Sequence, residues 1–430
     1  MKGRIGIDLA IGLGLRGLGA VSGFVLLWLI AQTNGAQAVG AYQLGLTTAT
    51  VLAVIALAGQ DILIIRQAPQ IIHKGSLADL RATYFAGRLW ALGAGAVGAL
   101  VMLAGAYVAA DVMGQSGEWS VIVLAFFPAV MMLAVLRHSN ALLRSQGSVL
   151  ISQSLEGVLY TSVAAAIVAA LWLAGSTVAP ITLPLAYLVG LALALAISLI
   201  ASQKLASRWT GNSPRQKAKL DLATGLRVTG APILMMSGEW LTLLALGALA
   251  GLSEAGVYRT AFMICMLFQL VNASFATMAG PHIAKASAVN DRAGVMGITW
   301  KVGLIGLVLV APLAALCLIV PGFLLGLFGE EFVAGALTLQ LLAAAQTVNV
   351  VFGPVGTALI MVGRERQVLA IEIVASSIAV LLALVLIPQL GMVGAAIGFA
   401  SATVLRNTAS RIALNFWHPD TAGSVGTAEA

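Results

Sequence analysis

Charge is what this chain has least of. Only 9% of its 430 residues are charged, where a soluble domain carries about 25%. With 60% hydrophobic residues and a mean hydropathy of +1.00, so much apolar surface has no water-facing fold to hide in. The chain therefore reads as an integral membrane protein. Cysteine is equally scarce: Cys265 and Cys317 both lie inside apolar runs, which excludes a disulfide framework. No Walker A stretch is present, so the chain does not itself hydrolyse ATP. Two matches to GxGxxG, at 12–17 and 93–98, sit inside apolar runs rather than after a strand, and are accidents of composition. His73, His138, His282 and His418 fall singly in separate segments. They form no metal site and are expected to be solvated or interfacial. No nucleophile–base pair is visible, so no catalytic residue is assigned and the chain is read as a non-enzyme.

Long apolar runs are what the chain has instead. Twelve candidate spans follow one another, at about 5–32, 40–61, 84–110, 119–138, 150–174, 182–203, 228–250, 256–279, 300–321, 335–362, 367–388 and 391–411. A helix needs roughly 20 such residues to cross a bilayer. Alternating ten-residue strands are absent, which excludes a β-barrel. The 47 glycines, with spacings such as Gly19/Gly23 and Gly394/Gly398, suit helices packed closely in lipid. The first span has no small-x-small cleavage site after it and is read as retained.

Basic residues set the topology. All but two of the 23 lysines and arginines fall on the side of the N-terminus, from Lys2 and Arg4 through the 204–227 segment to Arg406 and Arg411. The exceptions are Arg16, within a span, and Arg259, at the opposite mouth. Asp111, Glu118, Glu254, Glu330 and Glu331 mark the other face. Both termini are thus expected in the cytoplasm. The net charge of +7 reports loops that touch anionic lipid, not nucleic-acid binding.

A repeat runs through the chain at a constant offset of 216 residues. It takes Gly35, Gly40 and Tyr42 to Gly251, Gly256 and Tyr258, and Thr83 and Gly87 to Thr299 and Gly303. It also takes Gly147, Glu156 and Gly175 to Gly363, Glu372 and Gly391. Six spans per copy keep both copies in the same orientation, so two six-helix lobes around a central cavity are expected. Their bounds are 1–203 and 228–411, joined by a basic cytoplasmic linker at 204–227, with a disordered tail at 412–430.

The intramembrane polar residues are the candidate site. An arginine at the depth of Arg16 costs about 2.5–3.5 kcal/mol on insertion scales and normally faces a protein interior or a watered cavity. Gln43, Thr47, Glu239, Gln346 and Asn349 join it as candidate substrate-binding residues, suited to sugars and phosphates. Glu156, Glu239 and Glu372 are candidates for coupling to an ion, because a carboxyl in a low-dielectric cavity has its neutral form favoured.

Several short motifs recur in a telling order. Val39-Gly40-Ala41-Tyr42 enters the second span, and Gly59 with Arg66 leaves it; Ala255-Gly256-Val257-Tyr258 enters the eighth, and Pro281 leaves it. Leu327 to Phe332 precedes the tenth, Gly363-Arg364 follows it, and Ile387 to Ala396 leads into the twelfth. By these motifs, over essentially its whole length, the chain resembles the polysaccharide-transport (O-antigen, Wzx-type flippase) family of the multidrug/oligosaccharidyl-lipid/polysaccharide (MOP) exporter superfamily. The resemblance implies a MATE-like, all-α polytopic fold in the bacterial inner membrane, working by alternating access. It implies translocation of a polyprenyl-diphosphate-linked oligosaccharide, without a cofactor, driven by an H+ or Na+ gradient. Membrane lipids, a polysaccharide polymerase and chain-length machinery are the partners it suggests. Lipid II flippases of the same superfamily come second, since they usually have fourteen spans and several basic lumen residues. A MATE-like multidrug exporter would want a buried carboxylate in the first lobe rather than an arginine. A major-facilitator carrier is the remotest rival, since the Gly-Arg-Arg portion of its loop motif is missing after Arg81.

Overall fold

In the computed structural model, residues 2–73, 77–112, 118–207, 209 and 220–417 are described, except for the side chains of 2–10, 13, 16, 106, 108–112, 118, 119 and 231. The Arg16 side chain, residues 208 and 210–219 of the 204–227 linker and residues 418–430 of the tail therefore fall outside the described residues. Among the described residues there is no strand, and the chain is an all-α, multi-pass membrane protein.

The first compact unit comprises residues 1–260 with 328–331. It contains α1 (Lys2–Leu57), α2 (Gln60–His73), α3 (Leu77–Val112), α4 (Glu118–Ala125), α5 (Phe127–Ser145) and α6 (Val149–Gln153). A π turn at Ser154–Val158 leads into α7 (Leu159–Leu173), followed by α8 (Thr182–Ser207), α9 (Leu222–Leu249) and the start of α10 (Leu252–Ala288). The second unit, residues 261–327 and 332–430, holds the rest of α10, α11 (Arg292–Ile319), α12 (Pro321–Gly326), most of a 3-10 turn at Glu330–Gly335 and α13 (Ala336–Val351). It is completed by α14 (Val355–Met361), α15 (Glu365–Leu390) and α16 (Met392–Asn415).

Ten helical stretches among the described residues are long and apolar enough to cross a membrane. The first, Gly17–Leu57, contains a break at Gly35 (φ 76°, ψ −173°) and so covers both of the first two expected spans. The twelfth expected span is α16, a 24-residue helix that Arg406, Asn407 and Arg411 make too polar for that set. Helix α2, which the hydropathy pattern does not reveal, packs Ile64 and Ala68 against Leu80, Tyr84, Leu142 and Trp209.

Packing runs opposite to that of a water-soluble protein. On α11, Gly303, Gly306, Val310 and Ala314 point inward, while Leu304, Val308 and Leu309 face out. Small residues let helix backbones approach, and large apolar ones suit lipid. Outside the spans, the side chain of Asp221 caps α9 by accepting from the Thr224 amide at 2.9 Å. Hydrogen bonds from Thr224 hold the Asp221 carboxyl below its ordinary 3.8.

The expected disordered tail begins too early. Helix α16 continues to Asn415, and Trp417 is buried with Ala279, Ile283, Val295 and Leu414. Arg364 donates to the Ala413 carbonyl and Arg292 to that of Asn415. Cations on these otherwise orphaned carbonyls hold the helix end in place. Of the expected tail, 418–430 lie outside the described residues.

The repeat is written into the backbone. Gly35 and Gly251 have φ of 76° and 102°, Gly147 and Gly363 of 83° and 78°, and Gly175 and Gly391 of 69° and 53°. A left-handed φ at both members of three pairs is a far stronger match than shared glycines in a glycine-rich chain.

Candidate functional site

In the first unit, the two copies of the repeat touch. The limb of α1 after Gly35 crosses the start of α10 so closely that a Cβ on Gly40 would collide with the Leu252 carbonyl. Equally, a Cβ on Gly256 would collide with the Ala36 carbonyl. Residues 36 and 252 are themselves repeat mates, so the contact is reciprocal, as a two-fold axis requires. One turn on, Arg259 Nε donates to Gln43 Oε1 at 3.2 Å, again between repeat mates. The carboxylate of Glu239, on α9, acts electrostatically on Arg259. Nearby, Trp240 donates to the hydroxyl of Thr48 at 2.9 Å, and Thr47 is half-buried. The restarted limb is capped from a distance: the Ala36 amide donates to Glu331 Oε1 at 2.6 Å.

The limb of α1 before Gly35 runs along α6, the π turn and α7. Gly19 lies against the Gly157 backbone, Gly12 against the Gln153 side chain, and the hydroxyls of Ser22 and Thr161 are 2.7 Å apart. Arg16 occupies the α1 position between those glycines, at the level of the π turn; its side chain is outside the described residues. Glu156 sits in that π turn and accepts from Arg144 Nη2 at 2.8 Å, while Asn140 Nδ2 donates to the Ser152 carbonyl at 3.5 Å. Asn140 in turn accepts from Ser198 Oγ at 2.7 Å.

In the second unit, Gln346 Oε1 accepts from Asn349 Nδ2 at 3.2 Å, and Asn349 Oδ1 accepts from Asn407 Nδ2 at 3.0 Å. This amide chain ties α13 to α16. Glu372 on α15 is gripped by Arg406 on α16: Nη2 donates to Oε1 at 3.0 Å, and Nε lies 2.8 Å from Oε2, an ion pair without hydrogen-bond alignment. Ser376 Oγ adds a longer bond of 3.3 Å to Oε1. Arg411 donates to Thr299 at 2.7 Å, its guanidinium 4.6 Å from the Trp300 ring centre.

The candidate residues thus divide between the two units. Gln346 and Asn349 bond directly; Gln43 and Glu239 act on Arg259, with Thr47 one turn beyond Gln43 on α1; Glu156 and Glu372 each hold an arginine rather than standing alone. Arg259 sits two turns into α10 with its side chain on Gln43. The offset of 216 from Gln43 was the signal that finds it. Asn407, Arg144 and Arg406 also belong to these clusters, and nothing in local sequence announces them. Reading His138 as solvated is corrected. Its ring is fully buried, stacked on Tyr84 at 5.5 Å in the slot that Gly87 leaves free, with Nε2 3.1 Å from the Tyr84 carbonyl oxygen.

This helical arrangement has the fold of the MOP superfamily transporters. The structure is similar to an inward-facing multidrug resistance MATE family transporter, with a TM-score of 0.68 at 15% identity over 93% of this chain and 94% of that one. It is similar also to a MOP superfamily transporter from Pyrococcus furiosus Vc1, at 0.65 and 14% over 95% and 94%. The lipid II flippase MurJ, inward closed, matches at 0.68 and 10% over 93% and 86%. No protein-family model and no curated protein matches the chain in sequence.

Proposed function

We propose that the chain is a flippase that moves a polyprenyl-diphosphate-linked oligosaccharide, an O-antigen, capsule or exopolysaccharide repeat unit, to the outer leaflet of the bacterial inner membrane. The observation that carries this reading is the fold shared with a lipid II flippase across 93% of the chain, since lipid II is itself a lipid-linked saccharide. Both termini face the cytoplasm, by the distribution of basic residues. Two six-helix lobes, 1–203 and 228–411, alternate access to a central cavity, and 204–227 links them. Arg16 attracts the diphosphate, whose oxygens suit a guanidinium fork. Gln43, Thr47, Gln346 and Asn349 offer amides and a hydroxyl to the sugars while the polyprenyl tail stays in lipid. Glu156, Glu239 and Glu372 are the candidate coupling carboxylates for H+ or Na+, each of them beside an arginine. A polymerase and chain-length machinery receive the product.

A proteoliposome assay with a fluorescent short-chain polyprenyl-diphosphate saccharide tests the reading. Outward movement that depends on an ion gradient and disappears in Arg16→Ala is expected; absence of movement by the wild-type chain sinks it. The MATE-like drug exporter is a second reading, favoured by an equal TM-score of 0.68. Arginines on Glu156 and Glu372 leave those carboxylates ill placed to receive a cationic drug, and an ethidium efflux assay separates the two.

A further inference from the structure

The two copies of the repeat place a glutamate at one position but neutralise it differently. In the second unit Arg406 donates from Nη2 to one oxygen of Glu372 and holds Nε 2.8 Å from the other, an ion contact although that Nε too lacks an aligned hydrogen bond. In the first unit Arg144 uses Nη2 alone on one oxygen of Glu156, and its Nε is buried without a hydrogen-bond partner. Two turns earlier on the same face of α5, Arg137 adds a second positive charge that acts on Glu156, weaker than that of Arg144. Asn140 lies between the two arginines on that face, its amide nitrogen 3.5 Å from the Ser152 carbonyl oxygen. Asp61 acts more weakly on Glu156, and Arg88 acts with Asp61 on neighbouring His138. The cluster therefore keeps an excess of cationic donors.

Polar atoms without a partner lie on both sides of the pair: Arg144 Nε, and Ser152 Oγ and Gln153 Oε1 on the turn that precedes Glu156. Such atoms are rare in folded proteins, and bound water, an ion or a ligand group satisfies them. The backbone here is a π turn, a feature that concentrates at functional sites.

We infer that Arg144, with Arg137 and Asn140, forms an anion site for the phosphate of a lipid, and that Glu156 is the counter-ion the phosphate displaces. A phosphate oxygen pair fits the Nε–Nη2 edge of a guanidinium side-on, filling the half that a one-oxygen carboxylate contact leaves empty. That the phosphate belongs to a lipid-linked diphosphate rests on the flippase reading; a glycerophospholipid headgroup offers the same chemistry.

The test is binding of radiolabelled farnesyl diphosphate to the full chain in phosphatidylcholine nanodiscs, repeated with phosphatidylglycerol included. Arg144→Gln is expected to weaken binding about tenfold or more, and Glu156→Gln to tighten it about tenfold, the scale of one charge-assisted contact. Arg406→Gln and Glu372→Gln should leave it unchanged. If phosphatidylglycerol competes on equal terms and responds to the same variants, the anion site stands with a bulk headgroup as its ligand. A pair that only holds helices together predicts lower melting temperatures in both first-unit variants with no opposite changes in affinity, and that result overturns the inference. Flipping by wild-type chain is scored separately, so failure of transport and failure of the site are told apart.

Discussion

Gln43 and Arg259 occupy the same position in two copies of one repeat, and they hydrogen-bond to each other at 3.2 Å. The contacts of Gly40 with Leu252 and of Gly256 with Ala36, at the same crossing within the first unit, are reciprocal in the same way. Exchanging the two should then matter less than changing either. Gln43→Arg alone sets two guanidiniums together, and Arg259→Gln alone removes a charged bond worth about 1.5–3 kcal/mol. The double exchange, Gln43→Arg with Arg259→Gln, is expected to recover most of the loss in thermal melting of the purified protein. No recovery would mean the surroundings, Glu239 included, are not symmetric enough for the pair to be exchanged.

Backbone contact at the same crossing makes a second prediction. Gly40→Ala and Gly256→Ala each force a methyl into a carbonyl oxygen, and overpacking of this kind costs about 1–3 kcal/mol. Gly93→Ala is the control: a Cβ there meets nothing within 4 Å, and replacing a mid-helix glycine gains about 0.5–1 kcal/mol. Melting temperatures should fall for the first two and hold or rise for the third.

Breaking the ion pair in the second unit tests its structural role. Glu372 is almost wholly buried while Arg406 is 31% exposed, so removing one partner should cost less than the roughly 3–5 kcal/mol of a fully buried pair. A loss of about 2 kcal/mol is expected for Glu372→Gln or Arg406→Gln. The double replacement Glu372→Leu with Arg406→Leu should be closer to neutral, since it leaves no unpaired charge. A double variant worse than both singles would contradict this.

The cap on α9 carries a pH dependence with a definite sign. Hydrogen bonds from Thr224 depress the folded-state pKa of Asp221 below its ordinary 3.8, so the cap is fully in place above that value and is lost as pH falls through the lower folded one. Hydrogen exchange at residues 222–226 should therefore accelerate below about pH 4, beyond its intrinsic change. Asp221→Asn, which still caps but does not titrate, is expected to abolish that dependence.

Most of the architecture was legible because hydropathy and glycine report on local geometry. Span after span followed from apolar length, and the repeat followed from Gly35, Tyr42 and Glu156 finding mates at one offset. What was not legible depends on which helices become neighbours. Arg144 reaches Glu156 and Arg406 reaches Glu372, yet 144 and 406 are not repeat mates, so no periodicity connects them. His138 looked interfacial beside Arg137; only the slot at Gly87, contributed by another helix, makes it a core residue. Arg259 lay between these cases: nothing beside it in sequence named a partner, while its offset of 216 from Gln43 already did.

The π turn at Ser154–Val158 has a consequence for how the chain tolerates loss of sequence. Its hydrogen-bond ladder accommodates one residue more than an α-helix would over the same stretch. Deleting a single residue there lets the ladder close into a regular helix, with the flanking segments still facing their neighbours. The equivalent stretch around Glu372 is regular already, so the same deletion turns everything beyond it by about 100° around the axis and carries Ser376 and Ala383 off the buried face. Of two halves with one ancestry of design, only the first has slack to give.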